Sequence, residues 1–307
     1  MTDETGPGEL GDFLRSRRAR VSPEQAGITS YGRRRVEGLR REELAQLAGV
    51  SATYYTRLEQ GQSSNASASV IDAIARALHL DDDERGHLHD LARPRRARRP
   101  RPARPETAPP GLRQLLAAMT GVAAIVVGRR TEVLAWNPLG HALLAGHTDV
   151  AAPDRPVDRP NLTRMLFLDP HTEELYVRRP EEVARAIASL RLVAGRHPDD
   201  PELASLVGEL TMRSAEFAAA WSRHPVRTCT SGSKLFRHPE VGDLELAFEV
   251  LHLPGDAGQR LITYTAAPGS PSEAALRLLE VTGALSGPRR GGSRRGDGQR
   301  VDGRAAE

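Results

Sequence analysis

Residues 39–61 read LRREELAQLAGVSATYYTRLEQG, and their apolar spacing describes two short helices joined by a three-residue turn. Leu44, Leu47 and Ala48 fall at i, i+3 and i+4, which predicts one buried stripe, and Ala45 is small enough to admit a second helix beside it. Gly49 supplies the turn, because glycine enters the left-handed conformation that ends a helix, and Val50 behind it is placed to plug the corner. Ser51 restarts the chain as an N-cap whose hydroxyl accepts a backbone N–H of the next turn. The second helix is expected from Ala52 to about Gln60, with Gly61 as its stop.

On that second helix Tyr55, Leu58 and Glu59 point toward the domain, which turns Thr53, Thr56 and Arg57 outward. An outward arginine can bond guanine O6 and N7 together, and threonine offers a hydroxyl to a base edge and a methyl to thymine. Ala52 is placed to touch a thymine methyl, and Ser51 and Tyr54 to meet phosphate. Ala52, Thr53, Thr56 and Arg57 therefore form the expected base-reading set for double-stranded DNA. An ordinary helical hairpin with a solvated outer face shares the spacing, so the chemistry of that face separates the two readings.

Outward along the chain, charge is unevenly distributed. From Asp12 to Gln60 there are ten arginines against six acids, whereas Asp81, Asp82, Asp83, Glu84 and Asp90 make the end of this region acidic. The basic side is expected to face the duplex. Arg33, Arg34 and Arg35 precede the first helix and Arg40 and Arg41 begin it, so these five are assigned to clamping the DNA backbone. A solvated charged loop is the competing reading for the first three. Of the 43 basic residues all but Lys234 are arginine, the better bidentate ligand for phosphate and guanine. A net charge of +3 is too small to argue for nucleic acid by itself.

With these residues in view, the segment resembles the helix-turn-helix of the Cro and phage-repressor (XRE) class, and within it the MmyB-like branch. The first half carries the resemblance in ELGDFLRSRR, GLRREELAQLAGVSATYYTRLEQG and SVIDAIARALHLDDDERGHLHDLA. The second half carries it in VLAWNPLGHALL, NLTRMLFLD, LRLVAGRHPDDPELASLVGEL, SAEFAAAW, FRHPEVGDLELAFEVL and LITYTAAPGSPS. The chain departs from the family's pattern at GVAAIVVGRR, where a Pro-Ala-aromatic opening is expected, and at ELYVRR, where a tryptophan is expected. The resemblance implies an all-α helix-turn-helix domain of about five helices followed by an α+β, PAS-like ligand-binding domain. It further implies a sequence-specific transcription regulator controlled by a fatty-acid-like or other small apolar ligand.

Length and composition agree with two soluble domains, since 307 residues with a 39% apolar share fill two cores at a prior of about 150 residues each. No apolar stretch reaches the ~18 residues of a membrane span, and the N-terminus MTDETGPGELGD is acidic and polar rather than a signal peptide, so a cytoplasmic location is expected. The single cysteine, Cys229, excludes an internal disulfide and reads as a small buried hydrophobe.

The expected boundaries are 1–92 for the DNA-binding domain, 93–110 for a linker, 111–286 for the ligand-binding domain and 287–307 for a disordered tail. The linker, RPRRARRPRPARPETAPP, combines seven arginines with six prolines, which favours an extended connector. An arginine arm lying along phosphates or in a minor groove is the alternative.

Beyond it, Val122–Val127 and Thr131–Trp136 predict a hairpin around Gly128, and Asn137 caps a short helix, Pro138–Ala145. Helices are expected at Glu181–Gly195 and Pro201–Trp221. Strands follow at Val226–Thr230, Lys234–Arg237, Leu244–Leu253 and Gln259–Ala266, with helices against one sheet face. Trp136, Phe167, Phe236, Phe248 and Tyr264 are the candidate pocket aromatics, each also a candidate for plain core.

No HExxH, Walker loop or GxSxG is present, and the histidines are scattered without companion ligands, so neither an enzyme nor a metal site is expected. Two readings stay open for the second domain. In one, a small apolar ligand alters the geometry of a homodimer or the docking of the domains. In the other, the domain only dimerises or recruits a partner and has no effector.

Overall fold

The computed structural model describes residues 8–28, 38–62, 66–93, 106–226, 230–254 and 258–286. Arg33, Arg34, Arg35, Cys229, most of the linker and the tail from Gly287 lie outside the described residues.

The first domain is all-α. Its helices are α1 (Glu9–Arg18), α2 (Arg41–Leu47), α3 (Ala52–Glu59), α4 (Ala68–Ala77) and α5 (Asp82–Ala92). Local chemistry sets their ends. Gly49 adopts φ +67°, its N–H bonds the Gln46 carbonyl at 3.2 Å, and the Val50 N–H reaches back to Ala45 at 2.9 Å, so α2 closes in a Schellman motif. Ser51 then accepts the Tyr54 N–H at 3.1 Å and starts α3, and Asp81 and Glu84 form a capping box on α5.

Phe13, Leu14, Leu39, Leu44, Tyr55, Leu58, Ile71, Ile74 and Leu88 build one core. The buried stripe of α2 is Leu44, Ala45 and Ala48, whereas Leu47 is 42% exposed, contrary to the reading from spacing. At about 100° per residue, the arc holding Leu44, Ala48 and Ala45 is centred roughly 110° away from Leu47. Ala45 is 1% exposed, so the core sits on its side of α2.

The second domain opens with α6 (Pro110–Ala118), the hairpin β1 (Ala123–Val127) and β2 (Val133–Trp136), and α7 (Pro138–Ala145). After a short 3-10 turn at Ala152–Asp154 come α8 (Leu162–Leu168), α9 (Pro170–Leu175), α10 (Arg179–Arg196), α11 (Pro201–Arg213) and α12 (Ala215–Ser222). The chain returns through β3 (Ser231–His238), β4 (Gly242–His252) and β5 (Arg260–Thr265) and closes with α13 (Pro271–Ser286). The strands form one sheet in the order β2-β1-β5-β4-β3, every neighbouring pair antiparallel.

Asn137 ties the hairpin to α7. Its Oδ1 accepts the N–H groups of Gly140 at 2.8 Å and Ala124 at 2.9 Å, and its Nδ2 donates to the Val122 carbonyl at 2.7 Å.

Several expectations are corrected by these elements. The helix read from Pro201 to Trp221 breaks at Ser214, which lies at φ −134°, ψ 110° and accepts the Phe217 N–H as the cap of α12. A serine that bonds the backbone locally competes with helix continuation, and apolar periodicity does not register it. Val226 and Thr230 lie outside any strand.

Helices cover both faces of the sheet rather than one. Ala123, Ile125 and Val127 face the core shared with α7 and α13, whereas Ala124, Val126 and Leu261 are covered by Leu112 and Leu116 of α6. The end of the expected linker already belongs to this domain: Ala108 is buried, and the Glu106 and Thr107 carbonyls accept bonds from Arg159 and Gln259.

Candidate nucleic-acid interface and ligand cavity

The outer face of α3 is held in place by one buried carboxylate. Glu59 is fully buried at the end of α3, where Arg18 of α1 grips it with Nε and Nη2, each at 2.9 Å, and donates its third arm to the Leu39 carbonyl. Arg41 of α2 adds Nε and Nη2 to Glu59 Oε1 at 2.9 and 2.8 Å. Burial alone pushes the Glu59 carboxyl up, but the bonds from Arg18 and Arg41 outweigh it and hold it below the usual carboxylate range. Three helices thus meet at one ion.

The placement of the expected contact residues follows. Thr53 and Arg57 are exposed, Thr56 is half-exposed between them and the core side, and Ala52 and Tyr54 are half-exposed at the two edges of that face, Ala52 packing against the core. Arg57 and Arg40 have no carboxylate partner among the described residues, which leaves both guanidinium groups available. Arg41 does not share that freedom. Its Nε and Nη2 both bond Glu59, alongside the two arms of Arg18, while 40% of its side chain stays exposed. Ser51 uses its hydroxyl as an acceptor for the α3 cap.

The arginine excess of the first domain is likewise partly internal. Arg17 is buried and pairs with Glu84 at 2.8 Å, and Arg15, Arg18 and Arg20 lie against Asp12, Glu59 and Glu84.

Away from α3, the first domain docks on the second through α5 and α10. Leu192 and Val226 of the second domain enter the first domain's core. Arg17 donates to the His224 carbonyl at 2.6 Å, Arg20 to that of Arg223 at 3.0 Å, and Arg196 pairs with Asp90 at 3.2 Å. His87 lies edge-on to Phe13, its ring so close to Gly195 that a Cβ there would fall 2.7 Å from Cε1. Burial, and then the nearby Arg191 and Arg17, pull the His87 imidazole down to about 3, so it packs as a neutral ring.

The opposite end of α10 borders a cavity of about 120 Å³. Its apolar lining comes from Val127, Leu162, Leu166, Ala186, Val250 and Ile262, with the rings of Tyr176, Phe248 and Tyr264. Four charged side chains also line it: Glu182 and Arg185 of α10, Lys234 of β3 and Arg260 of β5. Lys234 bonds Glu182 at 2.6 Å, and Arg185 pairs with Glu182 and with Glu181. Arg260 donates through Nη1 to Ser189 at 2.9 Å, while its buried Nε has no partner.

Of the five candidate aromatics, Phe248 and Tyr264 line this cavity and three do not. Phe236 is packed solid between Tyr176 and Tyr264, Phe167 stacks edge-on against Phe217 in the α10–α12 core, and Trp136 faces a separate groove beside Val150. Aromatics fill a core of this size first. The polar liners that sequence reasoning missed, Glu182, Arg185, Ser189 and Arg260, lie on elements that converge only in the fold.

Residues 9–88 match the family model of a helix-turn-helix domain. Residues 108–279 match that of the MmyB-like transcription regulator ligand binding domain. The chain belongs to the MmyB-like transcription regulators. No curated protein matches it.

A DNA-binding domain joined to a ligand-binding domain makes this MmyB-like chain a DNA-binding transcription regulator, and the families it matches are regulatory rather than enzymatic. In this MmyB-like regulator two further histidines of the second domain have protein partners. His238 bonds the Ala142 carbonyl, and His147 pairs with Asp169 at 2.7 Å while its ring lies 4.0 Å from that of His171. Among the described residues no three His, Cys, Asp or Glu side chains converge as a metal site, and no helix is long and apolar enough to cross a membrane.

Proposed function

We propose that this regulator reads a specific duplex site with Ala52, Thr53, Thr56 and Arg57 in the major groove, and that occupancy of the second domain changes how the reading domain is held. The observation that carries the proposal is the double engagement of α10. Glu182, Arg185 and Ser189 on its first part border the cavity, and Leu192, Gly195 and Arg196 on its last turns touch the first domain. A ligand that alters the packing of one end biases the docking at the other, provided it binds the two arrangements with different affinity.

The five-stranded antiparallel sheet with helices over a cavity supports a PAS-like sensor, and the apolar liners support a ligand with an apolar body, as the fatty-acid-like expectation requires. The regulator acts as a cytoplasmic homodimer in this reading. Two copies on adjacent half-sites place their α3 helices about one DNA turn apart, roughly 10 to 10.5 base pairs.

A competing reading, in which the second domain only dimerises or recruits a partner, draws on the exposed Leu278 and Val281, one turn apart on α13.

Selection of bound fragments from a random duplex pool, with and without a cell lipid extract, tests the proposal. It expects an enriched motif whose recovery changes with the extract. An enriched motif indifferent to the extract favours the competing reading, and no enrichment at all removes the sequence-specific reading.

A further inference from the structure

The outer face of the sheet is covered on one side only. Residues paired across strands share a face, so the side that carries Ala124, Val126 and Leu261 under α6 continues, through the register, to Asp243, Glu245, Ala247, Glu249 and Leu251 of β4. All five of these β4 residues are exposed. Three of them are acidic. Arg237, on the facing row of β3, lies 3.4 Å from Asp243, and the Ser233 hydroxyl donates to Glu245 at 3.1 Å, whereas Glu249 meets no cation among the described residues. Such a row repels duplex phosphate and a second copy of itself, and attracts a basic chain.

A basic segment starts beside it. α13 ends at Ser286, one helical turn beyond Thr282, whose hydroxyl lies 3.5 Å from Glu240 in the β3–β4 turn. The chain therefore leaves the domain at the end of the hairpin where Asp243 begins the acidic row. Its next residues, GPRRGGSRRG, carry Arg289, Arg290, Arg294 and Arg295 and no acid. From Arg289 to Arg294 is roughly 17 Å of extended chain, and from Asp243 to Glu249 roughly 20 Å of strand. Gly291 and Gly292 separate the arginine pairs as the small Ala247 separates Glu245 from Glu249, so no bulky side chain keeps the two backbones apart.

We propose that residues 289–295 dock across the outer face of β4, with Arg289 and Arg290 against Asp243 and Glu245, and Arg294 and Arg295 against Glu249. This face is opposite the one that borders the cavity, so the docking is independent of any effector. Each pair is exposed, hence individually weak and screened by salt, but the short connection to α13 keeps the segment at high effective concentration.

Limited trypsin digestion of the full chain, with cleavage after Arg289, Arg290, Arg294 and Arg295 followed by mass spectrometry, tests this against a synthetic peptide of residues 287–307 as the unprotected reference. In about 20 mM salt, cleavage in the full chain is expected to be about fivefold or more slower than in the peptide, and in about 0.5 M salt the two rates should converge. Asp243→Asn combined with Glu245→Gln and Glu249→Gln is expected to raise the low-salt rate to that of the peptide. The salt comparison on the unaltered protein stands even where that variant fails to fold.

Equal rates in low salt overturn the proposal. Protection that persists in high salt or in the triple variant is steric shielding by the fold and overturns it too. Protection that grows with protein concentration assigns the face to the same segment of another copy, and a response confined to the arginines of residues 93–105 assigns it to the linker; either result overturns docking of residues 289–295 within one chain.

Discussion

Arg18 and Glu59, 41 residues apart in sequence, form a two-armed ion pair at 2.9 Å per arm that joins α1 to the end of the reading helix. Glu59 is wholly removed from solvent, so the pair holds α3 by a bond that has no aqueous substitute. The angle at which Thr53 and Arg57 face outward depends on it.

Removing that carboxylate is costly. Glu59→Ala is expected to destabilise the first domain by about 3–5 kcal/mol, because Arg18 is left buried without its partner. Urea unfolding checks the loss. The folded pKa of Glu59 lies below its unfolded value, so its contribution is complete above about 4.3 and vanishes as pH falls through the folded value. The difference in stability between the parent and Glu59→Ala should shrink in that acid window and stay constant above it.

Reading and clamping separate by salt. Arg57→Ala is expected to weaken the selected site by about 1–3 kcal/mol and random duplex far less, whereas Arg40→Ala should weaken both and lower the salt slope by about 1. Competition binding at two salt concentrations measures this. Arg41→Ala should differ from Arg40→Ala by also lowering the thermal midpoint, since Arg41 is bonded to Glu59. An equal loss on all DNA for Arg57→Ala removes its base-reading role.

Docking of the two domains should weaken in mild acid. His87 titrates near 6.5 in the unfolded chain and at about 3 in the folded one, so below 6.5 the unfolded state binds the proton and the folded state does not. The stability is present in full above 6.5 and falls by about 2 kcal/mol between pH 7 and pH 5. Calorimetry of His87→Phe, which keeps a ring against Phe13, should show less destabilisation over the same interval.

The cavity's ion pair should be asymmetric. Glu182→Gln leaves Lys234 without its carboxylate and is expected to cost about 3–5 kcal/mol. Lys234→Met should cost less, because Glu182 keeps Arg185. Urea midpoints of the two variants decide it, and equal losses contradict the sharing of Glu182.

Much of the helix-turn-helix was legible in advance because its signals are short-range. Gly49 at positive φ, the Ser51 cap and the Gly61 stop each act through neighbours within one turn. The hairpin around Gly128 and the Asn137 cap are legible for the same reason. Ser214 is the instructive exception: its capping bond is equally local, but the apolar pattern running through it concealed the break.

By itself the sequence determined where the reading helix begins and ends, which of its residues turn outward and that a mixed α+β domain follows, since backbone capping and apolar period act over a few residues. Only the tertiary structure decided that Arg41 is spent on Glu59, that Phe236 is core while Arg260 borders a cavity, and that α10 touches both domains. Those outcomes depend on which distant charge or ring occupies the adjoining space, and chain spacing carries no record of it.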